Sequence, residues 1–174
     1  ISFWCAQDLN DEGTPKRFTI LYISLSLLVL NRMDYVLLMG PLAIGLWIRH
    51  LGMSRRSTVL IPGIGLIVGW FIFAVIYFGM PFPNTYYAKL HTGFPAADYW
   101  TRGVDYFRAT FETDPVTLIL ASLGILWGIW GSYTTRLLSA GILLYAAYIG
   151  QIGGDFMMGR FFAVLAYAGA INMV

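Results

Sequence analysis

The segment from Thr58 to Met80 (TVLIPGIGLIVGWFIFAVIYFGM) is apolar from end to end and contains no charged residue. As a helix it would be about 35 Å long, and the hydrocarbon core of a bilayer is about 30 Å thick. The composition of the whole chain also indicates a membrane protein, since 58% of its residues are hydrophobic and 11% are charged. In soluble domains, about 45–50% of residues are apolar and about 25% are charged. The sequence therefore predicts an all-α integral membrane protein.

Two shorter apolar arms, Phe18–Leu30 and Tyr35–Ile48, flank the polar tetrapeptide Asn31-Arg32-Met33-Asp34. Each arm would be about 20 Å long as a helix, which is too short to cross a bilayer alone. The region is either one long span with a buried Arg32/Asp34 pair or a short helical hairpin over residues 18–48. Basic loops stay in the cytoplasm, and here basic residues precede the first arm and follow the second. The hairpin is therefore favoured, with its turn toward the opposite leaflet or the outer face.

Three further apolar stretches complete a predicted polytopic bundle; they cover residues 116–132, 137–152 and a truncated 161–174. Together with the span at 58–80, they place Arg136 on a cytoplasmic turn. Residues 81–115 then form an outer loop, and residues 153–160 lie outside as well. The chain begins without methionine and ends inside an apolar stretch, so we expect it to be a piece of a larger protein.

The outer loop contains a predicted amphipathic helix from Ala97 to Glu112. Its apolar side chains fall on one stripe: Trp100, Val104, Phe107 and Phe111. Its charged side chains fall on other faces and form two i,i+4 pairs, Asp98 with Arg102 and Arg108 with Glu112. We expect this helix to lie flat in the outer membrane interface.

The segment Gly153-Gly154-Asp155-Phe156-Met157-Met158-Gly159-Arg160 places an acid and a base between two apolar stretches. Charges at such a depth are costly unless they pair, meet water or hold a ligand. A guanidinium presents a planar fork that suits phosphate. One interpretation is that Arg160 holds a lipid-linked phosphate while Asp155 binds a hydroxyl or acts as a base. The alternative is a structural Asp–Arg pair at a helix junction.

A second polar segment follows the long span, from Asn84 to His91 (NTYYAKLH). Lys89 offers a mobile cation, His91 a group that titrates near neutrality, and Tyr87 an aromatic face for a sugar or a lipid. The alternative is an ordinary interfacial belt, where tyrosine and lysine are common. Arg32 and Asp34 either pair with each other or face a cavity.

Several kinds of chemistry leave no signature in the sequence. It contains no phosphate-binding loop, no cluster of histidines and cysteines for a metal, and no Gly-x-Ser-x-Gly turn. A divalent cation at Asp155 stays open as an alternative, although one acid makes a poor site. The net charge is only +2, and the basic residues lie beside apolar stretches, so no nucleic-acid partner is predicted.

Two stretches resemble polytopic glycosyltransferases of the GT-C class, which use polyprenyl-phosphate sugars at the outer face of bacterial membranes. They are FGMPFPNTYYAKL (Phe78 to Leu90), which precedes the predicted interfacial helix, and GGDFMMGRFF (Gly153 to Phe162). The hairpin at Asn31-Arg32-Met33-Asp34 is similar to an Arg-x-acid hairpin common in these enzymes. Within the class, the segments look most similar to bacterial arabinofuranosyltransferases that take decaprenyl-phosphate arabinose.

The resemblance implies a multi-pass protein of the bacterial cytoplasmic membrane whose active side faces outward. A hydroxyl of a glycan or protein acceptor would attack the anomeric carbon of the lipid-linked sugar, a carboxylate would take the proton, and cations would stabilise the departing phosphate. Arg160 and Lys89 would bind the donor with Asn84, Tyr87 and His91, and Arg32 and Asp34 would support them. Asp155 is the candidate catalytic residue in this stretch, whereas the family's main base would precede Ile1.

Two other classes of function fit the same features. A transporter or flippase of lipid-linked sugars would also need cations and aromatic side chains in an outer cavity, although transporters often carry paired repeats. A non-catalytic membrane subunit would use the polar segments to bind a partner protein.

Overall fold

The computed structural model of the protein describes residues 15–49, 57–82, 96–154 and 159–174. Within these ranges the chain forms seven α-helices and no strand, which confirms the predicted all-α class. In chain order the helices are α1 (Pro15–Asn31), α2 (Tyr35–Arg49), α3 (Ser57–Phe78), α4 (Ala96–Thr113), α5 (Pro115–Trp130), α6 (Tyr133–Gln151) and α7 (Arg160–Asn172). They divide into two compact units, one with α1 and α3 and the other with α2 and α4 to α7.

The first unit is a pair of helices that meet at a glycine. A Cβ atom added to Gly63 of α3 would lie 2.9 Å from the Tyr22 carbonyl oxygen and 2.8 Å from the Ser26 hydroxyl of α1. Only a residue without a side chain allows the two helices to approach this closely. Beyond this contact, α3 is largely exposed; Ile76, for example, has 79% of its surface accessible.

Among the described helices, α3 alone is both long enough and apolar enough to cross a membrane by itself. α4 and α5 meet the same criterion as a pair, but the chain bends by 108° between them. α2 and α7 are apolar but shorter. A single helix of this kind also occurs in soluble proteins and in signal sequences, so the predicted series of spans remains a prediction.

The second unit is built around α6, whose side chains Leu138, Ile142, Tyr145 and Ile149 are buried. α2 packs along α6 in the antiparallel direction, because Leu38 lies against Gly141 and Gly45 lies against Leu137. The Tyr133 hydroxyl donates a hydrogen bond of 3.2 Å to the Gly45 carbonyl oxygen near one end of this contact.

α5 and α7 run parallel to each other and pack through small residues. The backbones of Gly124 and Gly169 touch, so that a Cβ atom on either would overlap the other helix. Further along, the Asn172 side-chain amide donates to the Gly124 carbonyl oxygen and to the Ser139 hydroxyl of α6, both at 2.9 Å. Asn172 Oδ1 is buried and has no hydrogen-bond partner among the described residues.

Several helix boundaries differ from those predicted, and local capping explains the differences. α3 ends at Phe78 rather than Met80, because Gly79 adopts a left-handed φ of 73°. α6 begins at Tyr133 rather than residue 137, because the Ser132 hydroxyl accepts a bond from the Thr135 amide as an N-cap. Arg136 therefore lies in the first turn of a helix and not on the preceding turn.

The remaining elements lie close to their predicted positions. The predicted helix at 97–112 is α4, which lies inside the loop predicted for 81–115. α5 follows with Asp114 as its N-cap and Pro115 at its first position, a pairing that favours helix initiation. Within residues 18–48 the chain forms two helices that stop on either side of residues 32–34, and not one continuous helix.

Candidate functional site

The structure describes three of the residues predicted for the site: Arg32, Asp34 and Arg160. The other candidates lie outside the described residues: Asn84, Tyr87, Lys89, His91 and Asp155. Two described elements bracket the acid–base segment: the end of α6 and the start of α7.

The end of α6 is a Schellman motif made by the two predicted glycines. Gly154 N–H donates to the Ile149 carbonyl oxygen at 3.1 Å, and Gly153 N–H donates to the Gly150 carbonyl oxygen at 3.3 Å. This pair of bonds closes a helix when the residue after the cap is left-handed, and Gly153 has a φ of 74°. The glycines thus stop α6 sharply and redirect the chain just before Asp155.

The same turn packs against α4. A Cβ atom on Gly154 would lie within 2.7 Å of Cδ2 of the Tyr106 ring, and one on Gly153 would lie 3.3 Å from the Tyr99 carbonyl oxygen. Gly154 also has a left-handed φ, of 75°. Glycine is therefore required here for both conformation and space, and the chain leaves the turn beside the amphipathic helix.

α4 presents three different faces. Gly103, Tyr106 and Thr110 are buried, and the first two meet Gly150 and Gly154 at the end of α6. Most of the predicted apolar stripe lies on another face and remains exposed, to 52% at Trp100, 63% at Val104 and 58% at Phe111. The third face is charged and carries the predicted ion pair, in which Arg108 donates to Glu112 at 3.0 Å.

Arg160 is the first residue of α7. It follows Gly159, which has a φ of 82° and provides no side-chain cap, and Ala163 N–H makes the first helical bond to the Gly159 carbonyl oxygen. The amides of the first turn precede that bond, and the positive end of the helix dipole lies there. The exposed Arg160 side chain adds its charge to this end, an arrangement that favours an anionic ligand.

Two buried phenylalanines fix the start of α7. The Phe162 ring stacks on Tyr106 of α4 with centroids 5.1 Å apart, and it meets Phe107 edge to face at 4.7 Å. The Phe161 ring meets the Tyr145 ring of α6 at 6.4 Å. Because Phe161 and Phe162 directly follow Arg160, these contacts hold the arginine's backbone in place.

Asp34 is held from α6. The Tyr145 hydroxyl donates a hydrogen bond of 2.7 Å to Asp34 Oδ2, and the Tyr35 ring lies 6.0 Å from the Tyr145 ring. Tyr145 is fully buried, whereas Asp34 is half-buried at the turn that begins α2. One tyrosine therefore contacts both the Asp34 carboxylate and the residue that follows Arg160.

Arg32 belongs to the other unit, with α1. It lies just beyond the last residue of α1, and its amide donates to the Leu28 carbonyl oxygen at 3.0 Å. Its predicted pairing with Asp34, and its supporting role, remain predictions.

Sequence reasoning missed Tyr145, Tyr106 and the two phenylalanines as positioning residues. A signal for Tyr145 was present, because a tyrosine in an apolar helix normally needs a partner for its hydroxyl. Nothing local could identify that partner, which lies 111 residues away. For Phe161 and Phe162, the apolar character gave no information beyond core packing.

Among the described residues, no group of three or more His, Cys, Asp or Glu side chains could hold a metal ion. The alternative of a divalent cation at Asp155 concerns a residue outside that part of the chain. No protein-family model, curated protein or solved structure that was compared with the chain matches it.

Proposed function

We propose that the protein is a membrane glycosyltransferase of the GT-C type, which transfers a sugar from a polyprenyl-phosphate donor to a glycan or protein acceptor. The observation that carries the proposal is the arrangement around Arg160. The arginine stands at the positive end of α7, and its backbone is held by Phe161 and Phe162. The Phe161 ring contacts Tyr145, whose hydroxyl donates to Asp34.

The distribution of exposed apolar surface supports a membrane location. α3 is apolar along its length, and only 17% of its most apolar part is buried, which in water would leave a large unfavourable patch. The bare stripe of α4 lies between its packed face and its charged face, as a helix in the membrane interface requires. We assign the protein to the cytoplasmic membrane of a bacterium, with the site facing outward.

The helix directions in the second unit support several spans. α6 is antiparallel to α2, and α5 and α7 are parallel to each other, as the predicted alternation across a bilayer requires. These helices also meet through glycine, serine and asparagine, the residues that drive close packing of helices in lipid.

Arg160 is proposed to bind the donor phosphate. The leaving group of the transfer is a lipid-linked phosphate, whose negative charge grows as the bond to the anomeric carbon breaks. A guanidinium and the amides of a helix N-terminus both stabilise such charge. Lys89 would add a second cation, and Asn84, Tyr87 and His91 would contact the sugar or the lipid.

The two carboxylates are proposed to act on the sugar side of the donor. Asp155 would bind a hydroxyl or take the proton of the attacking acceptor. Asp34, with Arg32, would support the donor from the turn before α2. The sugar is proposed to be arabinofuranose, on the resemblance of the acid–base segment to that group of enzymes.

The test is a transfer assay with the purified full-length protein, a labelled decaprenyl-phosphate arabinose donor and a cell-envelope glycan acceptor. The proposal expects labelled product in detergent, where no sealed bilayer exists. A flippase would yield no product in detergent and would move the donor only across sealed vesicles. A non-catalytic subunit would do neither, and that result would contradict the proposal.

A further inference from the structure

We propose that Tyr145 is a positioning residue for the transfer, because its hydroxyl holds the Asp34 carboxylate while its ring packs against Phe161 at the start of α7. Asp34 and Arg160 would then bind one donor molecule together, the carboxylate through a sugar hydroxyl and the guanidinium through the phosphate. This inference rests on the proposed function and assigns Asp34 a defined task in it.

The Tyr145 hydroxyl is not needed for core packing. Tyr145 is fully buried in α6, among Tyr35, Tyr148 and Phe161. A phenylalanine would make the same ring contacts, and burying a hydroxyl is unfavourable unless it is hydrogen-bonded. Packing therefore does not account for the oxygen atom, whereas its bond of 2.7 Å to Asp34 Oδ2 does.

The acceptor of this hydrogen bond is a carboxylate oxygen. Hydrogen bonds to an ionised carboxylate are shorter and stronger than those between neutral groups. The Leu37 amide bonds to the Asp34 backbone oxygen and not to the side chain. The tyrosine thus holds one oxygen of a carboxylate that remains half-exposed.

The Tyr145 ring also contacts the start of α7. Tyr145 meets Phe161 edge to face at 6.4 Å, and Phe161 directly follows Arg160. One buried side chain thus contacts both the acid before α2 and the residue that follows the base at the start of α7. A lipid-phosphate sugar carries hydroxyls next to its phosphate, so this acid and base match its two kinds of polar group.

The test compares two tyrosine-to-phenylalanine variants that each remove one hydroxyl from α6 facing α2. Tyr145→Phe removes the donor to Asp34, and the matched control Tyr133→Phe removes the donor to the Gly45 carbonyl oxygen. We expect Tyr145→Phe to lower kcat by about 10–100-fold, as for loss of a hydrogen bond to a charged group, with little change in the donor KM. Tyr133→Phe should retain wild-type kcat.

A double variant separates positioning from a general structural effect. If Tyr145 acts through Asp34, then Tyr145→Phe added to Asp34→Ala should lower kcat no further than Asp34→Ala alone. Melting in detergent, followed by helical circular dichroism, checks that all variants fold. Multiplying effects, or normal transfer by Tyr145→Phe, would overturn the inference while leaving the proposed function intact. Absence of transfer by the wild-type protein would instead overturn both.

Discussion

Polar side chains lie at both ends of the region around α6, but they differ in kind. At the Tyr133 end, Thr134, Thr135 and Ser139 are buried and uncharged, and Thr135 and Ser139 bond to backbone carbonyl oxygens of the preceding chain. At the Gly153 end, the polar group is a half-buried carboxylate held by Tyr145. This end also contains three glycines with a left-handed φ, Gly153 and Gly154 before Asp155 and Gly159 after it.

Helix packing explains the polar side chains at the Tyr133 end, whereas the charged side chains at the Gly153 end need another explanation. Small hydroxyls and amides that bond to backbone oxygens stabilise close helix contacts at little cost. A carboxylate and a guanidinium beside apolar helices are costly and contribute little to packing. We therefore expect changes at the Tyr133 end to lower stability and changes at the Gly153 end to lower activity.

The largest expected effect is on activity, from Arg160→Ala. Removing the guanidinium should lower transfer by at least about 100–1000-fold, the range seen when one group that stabilises a developing anion is removed. The free energy of unfolding should change by less than about 0.5 kcal/mol, because the side chain is exposed. The measurement is the initial rate of sugar transfer, together with the melting temperature in detergent.

Arg136→Ala is the matched control for this variant. Arg136 is also an exposed arginine in the first turn of a helix, and its Nε donates to the Gly131 carbonyl oxygen at 3.2 Å. It lies at the Tyr133 end, so transfer should be unaffected. Equal transfer activity of Arg136→Ala and Arg160→Ala would show that the Tyr133 end and the Gly153 end of α6 do not differ in their importance for activity.

The outline of the helices could be predicted from the sequence because it depends on local patterns. The long apolar segment and the amphipathic segment became α3 and α4, each within two residues of the predicted bounds. The packed face of α4 could be predicted only in part. Phe107 of the apolar stripe meets Phe162 of α7, whereas Gly103 and Tyr106, which lie outside the stripe, meet the end of α6. A helix contact made through glycine leaves no hydrophobic pattern in the sequence.

The site was predictable only in part, for a related reason. Asp155 and Arg160 stood out because charges are rare in apolar surroundings, and Gly153 stood out as a turn. The partner of Asp34 did not, because the bond to Tyr145 joins residues 111 positions apart. No periodicity or spacing encodes such a contact, which depends on how α2 packs on α6.

The next largest effect is on stability, from Gly124→Ala. The added methyl group would overlap the backbone of Gly169, so α5 and α7 would have to separate. We expect a loss of about 1–3 kcal/mol in the free energy of unfolding, measured by SDS titration in mixed micelles. Gly69→Ala is the control, because nothing lies within 4 Å of that position in α3. Equal losses from both changes would show that the tight α5–α7 contact does not limit stability.

The smallest expected effect comes from the polar contact between α5, α6 and α7, through Asn172→Ala. The Asn172 amide donates to Gly124 and Ser139, and such bonds between helices in lipid contribute about 0.6 kcal/mol on average and at most about 1.7 kcal/mol. Asn172 Oδ1 has no partner among the described residues, and its burial offsets part of the stabilisation from these two bonds. We therefore expect a loss below about 1 kcal/mol in the free energy of unfolding. A double-mutant cycle with Ser139→Ala, in the same SDS titration, isolates the shared bond. Transfer should persist in all three variants, since the contact lies away from the Gly153 end. A loss of transfer at unchanged stability would instead place Asn172 in the site and remove the distinction between the two ends of α6.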